Sequence, residues 1–154
     1  MSSIALLTAI VALNANLVLS ERAKTTCDTT LNKVDIKRVT MISKYVFTGK
    51  VYSVTSMNST RVYKVNIRRV LKGDLNDIGV AVRFGTSSSL RFSDATVIVE
   101  SSYSFHCPPL RVRTYAIFLT EKHVDKGTLR LSLVVEPVLL TLRSIGIIEA
   151  TVKE

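Results

Sequence analysis

Hydrophobic side chains recur at every second position through much of the chain from Val46 onward, and this period constrains the fold more than any other feature. The clearest case is Arg61–Leu71, where an aromatic or aliphatic residue alternates with a polar one. A period of two is that of a β-strand with one buried and one exposed face. Tyr63, Val65 and Ile67 are therefore predicted to face the core.

The same reasoning predicts the other elements. Further strands are expected at Val46–Val54, Val80–Phe84, Ala95–Glu100, Val112–Leu119 and Thr128–Val135, with Val138–Arg143 as a continuation. Helical spacing is found only near the two ends, at Thr29–Tyr45 and Ile145–Lys153. We expect Thr29 or Thr30 to cap the first helix and Ser144 to cap the second.

Short strands at even spacing, with helices only at the ends, predict an all-β domain. We expect a closed antiparallel OB-type barrel of about five or six strands with a short N-terminal and a short C-terminal helix. A β-sandwich is the alternative, because periodicity does not separate the two. No internal repeat or proline-rich linker divides the chain after its first segment, so one domain is expected over residues 21–154.

Residues 1–20 predict a signal peptide. The segment carries no charged side chain, and its apolar run is interrupted by Asn14 and Asn16, whereas a membrane span needs about 20 predominantly apolar residues. Cleavage ahead of Glu21 would follow a small residue, Ser20. An uncleaved anchor or a buried core helix are the alternatives. We expect a secreted protein, without stable membrane insertion once the leader is removed.

Two further features agree with export. Cys27 and Cys107 are the chain's two cysteines, and a lone pair in a secreted protein is by default a disulfide. Their separation is 107 − 27 = 80 positions, and closing a loop of that size stabilises the fold by roughly 4.5 kcal/mol in the chain-entropy model. Asn58-Ser59-Thr60 is an N-glycosylation acceptor, with Asn58 between two predicted strands.

The sequence offers no arrangement typical of catalysis or metal binding. His106 has no acidic neighbour, and His123 falls in a predicted polar turn, Glu121–Gly127. Zinc sites need three or four ligands, whereas His106-Cys107 is a single adjacent pair. The six glycines form no phosphate-binding loop. We therefore expect a binding protein without cofactor or metal, not an enzyme.

The formal net charge of +9 favours acidic partners. Heparan sulfate is one such partner, and a solvated strand face that prevents edge aggregation is the alternative interpretation. Nucleic acid is not expected, since only 6% of residues are aromatic, tryptophan is absent and the leader predicts export. The candidate polyanion-binding residues lie on two predicted strands: Lys64, Arg68, Arg69, Lys72, Arg111 and Arg113.

Several short motifs resemble one known family. Phe47-Thr48-Gly49-Lys50-Val51 and the strand ending in Leu71-Lys72-Gly73 resemble the netrin-like and tissue-inhibitor-of-metalloproteinase group of OB barrels. Within it the chain is most similar to the agrin N-terminal domain, through the positions of its two cysteines, Thr114–Phe118 and Thr141–Ile145. The resemblance spans about residues 27–153. Tyr63 and Thr151 stand where that domain has a further cysteine pair, so both partners of that bridge are missing together.

The resemblance implies attachment to basement membrane by binding the coiled-coil region of laminin. Contact is then expected through apolar residues of the last helix, Ile145, Ile147, Ile148 and Val152, although such residues also commonly pack on their own barrel. Metalloproteinase inhibition is a second implication of the wider group. Inhibition of this kind requires Cys27 to be the first residue of the mature chain. The family also begins with Cys-x-Cys, whereas here Thr29 stands at the position of the second cysteine.

Overall fold

A computed structural model describes residues 31–79, 95–101, 107–125 and 128–154, and these form a β-barrel flanked by two helices. The predicted signal peptide, Cys27 and the predicted strand Val80–Phe84 lie outside the described residues. The elements, in chain order, are α1 (Lys33–Ile42), β1 (Tyr45–Met57), β2 (Thr60–Lys72), β3 (Thr96–Ser101), β4 (Tyr115–Asp125), β5 (Thr128–Leu133), β6 (Val138–Leu139) and α2 (Leu142–Lys153).

Five of the described strands close into a ring. Their order is β1-β2-β3-β5-β4, and β4 returns to pair with β1. The short strand β6 pairs with the start of β4 on the edge that β5 occupies further along. Strands β3 and β5 run parallel, so the expectation of a fully antiparallel barrel is wrong for this pair. The reason is geometric: directions cannot alternate all the way round a ring with an odd number of strands, so one pair must be parallel. The OB-type barrel itself is confirmed.

The period-two prediction holds along β2. Tyr63, Val65 and Ile67 are fully buried, and Lys64 between them is exposed. Opposite them, β1 brings its backbone very close to β2 at Gly49, which pairs with Ile67. A Cβ atom at Gly49 would collide with the Val65 side chain and lie 3.0 Å from the carbonyl oxygen of Asn66. Only glycine fits this strand crossing.

Hydrophobic residues form two separate clusters, one inside the barrel and one between barrel and helices. Phe47 stacks on Phe118 inside the barrel, with ring centroids 5.6 Å apart. The preceding residue of β1, Val46, points outward and packs with Ile36 of α1 and Ile148 of α2. Because neighbouring strand residues face opposite sides, β1 contributes to both clusters. The two helices therefore cover one outer side of the barrel.

The helix starts differ from those predicted. Asn32 caps α1, its side-chain oxygen accepting a hydrogen bond from the Asp35 amide at 2.9 Å. Thr141, not Ser144, caps α2, and its hydroxyl accepts from the Ser144 amide at 3.0 Å. Ser144 was the wrong choice because the helix begins one turn earlier, which buries this serine. His123 lies within β4 and is exposed, so the predicted turn from Glu121 is also wrong.

Candidate functional site

Two of the six predicted polyanion-binding residues are engaged within the fold. Lys72 donates hydrogen bonds to the carbonyl oxygens of Thr40 and Met41, at 2.8 and 2.9 Å, and so caps the C-terminal end of α1. Arg69 forms an ion pair with Glu149 of α2 at 2.5 Å. Both side chains thus fasten helices to β2. Their charges are already compensated.

Two others, Arg68 and Arg113, meet in one groove with Lys50, which the sequence did not single out. The groove has a volume of about 490 Å³ and is open to solvent. Lys50 lies on β1 between Asn66 of β2 and Tyr115 of β4, which are its partners in the two strand pairings. We call this basic groove the Lys50 groove. Its remaining lining residues are uncharged: Val51, Tyr52, Asn66 and Val112.

Backbone hydrogen bonds hold Arg113 beside the groove. Its amide donates to the carbonyl oxygen of Val51 at 2.8 Å, and the Val51 amide donates to that of Thr114 at 2.9 Å. Arg113 has φ +72, a left-handed conformation rarely adopted by a long side chain. The turn Val112–Arg113 also explains why β4 begins at Tyr115 and not at Val112 as predicted. The position of Arg113 is therefore set by backbone hydrogen bonds to β1.

The charges in the Lys50 groove have no acidic counterpart within the described ranges. The ion pairs among the described residues are Lys37–Glu154, Arg38–Asp35, Arg69–Glu149 and Arg130–Glu100, and none involves Lys50, Arg68 or Arg113. The Nε atom of Arg68 is buried and lacks a hydrogen-bond partner. A buried unpaired donor on a cation is costly, and an anion entering the groove would relieve it.

Arg68 is also shared with a second cavity. This cavity has a volume of about 390 Å³ and lies between the barrel and the start of α2, lined by Thr48, Arg69, Tyr115, Leu140 and Ile145 in addition to Arg68. Arg68 thus lines two openings on the barrel surface.

Two exposed tyrosines accompany the cations. The Lys50 ammonium nitrogen lies 5.6 Å from the centroid of the Tyr115 ring, and that of Lys64 lies 5.5 Å from the centroid of Tyr52. Tyr52 is 67% exposed and Tyr115 is 44% exposed. Each tyrosine is therefore accessible, but one face of its ring is covered by an ammonium group.

The four apolar residues predicted on the last helix divide into core and surface. Ile148 is fully buried in the cluster between barrel and helices, so it is not available to a partner. Ile145 and Ile147 pack partly against that cluster, and Val152 is 39% exposed. Leu142 at the start of α2 is 91% exposed, and sequence reasoning missed it because the helix was expected to begin later. Spacings of three and seven residues put Leu142, Ile145 and Val152 on one side of α2.

The remaining predicted sites lie outside the groove. Arg111 is exposed and does not line it, and Asn58 is exposed in the turn between β1 and β2, with φ +44. Cys107 is disulfide-bonded, but Cys27 lies outside the described residues, so their pairing stays a prediction. Sequence reasoning missed Arg61, which is only 4% exposed on β2 and donates from Nη2 to the Cys107 carbonyl.

Neither a metal site nor a membrane span is found where the structure describes the chain. No group of three or more histidine, cysteine or acidic side chains is positioned there to hold a metal ion. The described helices, α1 and α2 among them, are too short or too polar to cross a membrane.

The sequence matches no known protein family and no curated protein. Among solved structures it is similar to a replication protein A heterotrimer bound to ssDNA, at 10% identity and a TM-score of 0.39, over 70% of this chain and 66% of that one. It is also similar to Schizosaccharomyces pombe Pot1pC bound to ssDNA, at 13% identity over 71% of this chain and 88% of that one. A third similar structure is fission yeast Pot1 with ssDNA, at 14% identity over 73% of this chain and 42% of that one; both have a TM-score of 0.39.

These neighbours require one correction. We expected no nucleic-acid partner, and that exclusion is wrong, because the similar solved structures are complexes with ssDNA. The exclusion rested on the low aromatic content, the absence of tryptophan and the predicted export, yet Tyr52 and Tyr115 are both on the surface beside cations. A small number of aromatic residues is no obstacle when the fold exposes them. At this degree of similarity the neighbours describe nothing further about the chain.

Proposed function

We propose that this protein is a secreted extracellular-matrix module that attaches to basement membrane by binding the coiled-coil region of laminin. The observation that carries the proposal is the coincidence of the family-like motifs with structurally constrained positions. Gly49 of the first motif lies where β1 pairs very closely with β2. Gly73, after β2, has φ +84, and a Cβ there would lie 2.5 Å from the carbonyl oxygen of Lys44. Both are positions at which a side chain is not tolerated.

The other two motifs also have defined places in the barrel. Thr114–Phe118 enters β4 and contributes Phe118 to the interior, and Thr141 caps α2. The motifs thus fall on β1, at the end of β2, on β4 and at the start of α2. This supports a shared domain architecture, from which the laminin-binding role is inferred.

The surface that we propose for laminin is the exposed side of α2, formed by Leu142, Ile145 and Val152. Helices that pack on one another bury apolar side chains at the contact, and the apolar strip of α2 offers such side chains to a helical partner. Exposed leucine and valine on a helix already anchored to the barrel cost little further ordering on binding. Ile148 is assigned to the core, and Ile147 contributes only its exposed fraction.

The test is binding of the purified secreted protein to immobilised laminin, measured by surface plasmon resonance. We expect the variant Leu142→Glu/Val152→Glu to bind at least tenfold more weakly, because it places two charges in an apolar contact. Ala150→Glu adds the same side chain on another exposed side of α2 and is expected to bind like wild type. Docking of this kind should persist at about 0.3 M salt.

Two results would contradict the proposal. One is that the wild-type protein does not bind laminin at all. The other is that Ala150→Glu weakens binding as much as the double variant does, since the loss would then not belong to the Leu142–Val152 side. Circular dichroism spectra and melting curves of all variants separate a lost contact from a lost fold.

A further inference from the structure

We infer that the Lys50 groove is a second binding site, which takes sulfate groups of an extracellular sulfated polysaccharide. The site is defined by three cations from different parts of the chain, Lys50 on β1, Arg68 on β2 and Arg113 before β4. The described residues that line the groove include none of α2, whereas the adjacent cavity that Arg68 also lines reaches Ile145. The inference does not depend on laminin binding.

The first step of the argument is charge. Lys50, Arg68 and Arg113 line one groove with no carboxylate among its lining residues. Nearby Arg69 and Lys72 show the alternative, since the first is paired with Glu149 and the second bonds two helix carbonyls. Like charges held together without a counter-charge repel one another, and a bound anion removes that repulsion. The groove is thus arranged for an anionic ligand.

The second step is hydrogen bonding. The buried Nε of Arg68 has no hydrogen-bond partner among the residues that the structure describes. A guanidinium presents donors in a planar fork that matches the oxygens of a sulfate or phosphate group. The cavity on the other side of Arg68 allows a chain of such groups to pass over it. A linear polyanion fits this arrangement better than a single small ion.

The third step concerns the class of polyanion. Binding of single-stranded nucleic acid depends on bases stacking on open aromatic faces. Here the Lys50 and Lys64 ammonium groups lie over the rings of Tyr115 and Tyr52. The tyrosines therefore position cations and offer only partly open stacking faces, which favours a ligand recognised through its charge. Among polyanions, a sulfated polysaccharide is also the one that a secreted protein meets.

The experiment measures binding of a fully sulfated heparin oligosaccharide of about ten sugars to the intact secreted protein by isothermal titration calorimetry. The site variant Lys50→Gln/Arg68→Gln/Arg113→Gln is expected to bind at least tenfold more weakly. Its dependence of log Kd on log salt should be less steep by about 2, because fewer counterions are released. A desulfated oligosaccharide of equal length, and inorganic sulfate at matched sulfate concentration, should bind much more weakly than the sulfated chain.

Two control variants make the result specific. The first removes the same number of charges from exposed positions elsewhere and is expected to retain wild-type affinity within about twofold: Lys33→Gln/Lys122→Gln/Arg143→Gln. The second keeps every charge in the groove, Lys50→Arg/Arg68→Lys/Arg113→Lys, and should stay within about fivefold of wild type. It shows that a loss in the glutamine variant comes from charge and not from disturbed packing.

Three outcomes would overturn the inference. The first is no measurable binding of the sulfated oligosaccharide by the wild-type protein, and the second is equal weakening in the site variant and the charge-matched control. In the third, single-stranded DNA of comparable length binds more tightly than the oligosaccharide and depends on the same three cations. Laminin binding is measured separately on the same variants and is expected to be unchanged, so failure of one proposal is distinguished from failure of the other.

Discussion

Gly49 and Gly146 illustrate how the same residue type is indispensable at one position and replaceable at another. At Gly49 an added Cβ would meet the Val65 side chain and lie 3.0 Å from the Asn66 carbonyl oxygen, both in the tightly packed β1–β2 crossing. At Gly146, within α2, an added Cβ would meet nothing within 4 Å beyond its chain neighbours and the nearby backbone of the helix itself. The steric environment and not the residue type decides the effect of a substitution.

We expect Gly49→Ala to lower the free energy of unfolding by about 2–3 kcal/mol, because overpacking forces the backbone or Val65 to move. Gly146→Ala should raise it by about 0.5–1 kcal/mol, since alanine has a smaller entropic cost than glycine within a helix. Urea unfolding followed by circular dichroism measures both. Equal stability of the two alanine variants would show that the backbones of β1 and β2 are farther apart at Gly49 than this structure places them.

At the scale of single residues, the sequence identified positions but not their partners. Gly49 stood out through its motif, yet the clash that excludes other residues depends on β2, which is brought against it only by folding. Lys72 and Arg69 belonged to the same basic run as Arg68. What separates them is the presence of α1 and α2 beside β2, which supply carbonyl oxygens and Glu149. Local spacing contains no information on such long-range neighbours.

At the scale of elements, Lys72 acts as a link between β2 and α1. Its ammonium donates to the last carbonyls of the helix, which have no partner within the helix itself. We expect Lys72→Gln to lower the free energy of unfolding by about 1 kcal/mol, through loss of charged hydrogen bonds at the negative end of the helix dipole. Binding of the heparin oligosaccharide should change by less than about twofold.

Arg69→Gln serves as the comparison for this prediction. Its ion pair with Glu149 is substantially exposed, at 55% and 33% for the two side chains, so its loss should cost less than about 1 kcal/mol. Thermal unfolding of both variants measures the change in stability, and calorimetric titration measures their affinity for the heparin oligosaccharide. A large loss of polysaccharide affinity in Lys72→Gln would contradict this assignment and show that Lys72 takes part in polyanion binding.

The strands could be predicted where one face is buried, and not where both faces are exposed. β1 and β2 begin and end within a few residues of the predicted bounds. Buried and less buried positions alternate along β2, whereas the first five residues of β1 are all buried. The end of β4, by contrast, continues through exposed Glu121, Lys122 and His123 to pair with β5. Backbone pairing holds this segment, and no hydrophobic period marks it in the sequence.

At the scale of the whole molecule, barrel closure is what the sequence did not settle. Alternating strands are compatible with a sandwich or a barrel, and the pairing of Lys50 with Tyr115 and of Thr48 with Ile117 decides for the barrel. Closure also creates the candidate site. Lys50, Arg68 and Arg113 are far apart in sequence, and they meet only because β1 lies between β2 and β4 in the closed ring.

The last prediction concerns how the start of the chain is joined to this barrel. Cys107 is disulfide-bonded and precedes β4 in the chain, and its carbonyl accepts a hydrogen bond from buried Arg61 of β2. Pairing with Cys27 closes a loop of 80 positions, 107 − 27. We expect Cys27→Ser/Cys107→Ser to lower the free energy of unfolding by about 2–5 kcal/mol, mainly because the unfolded chain regains freedom. Chemical unfolding of the two proteins measures this difference. A linked Cys27–Cys107 peptide in a non-reduced digest identifies the bridge, and an unchanged unfolding midpoint after reduction of the wild-type protein would show that it contributes nothing to stability.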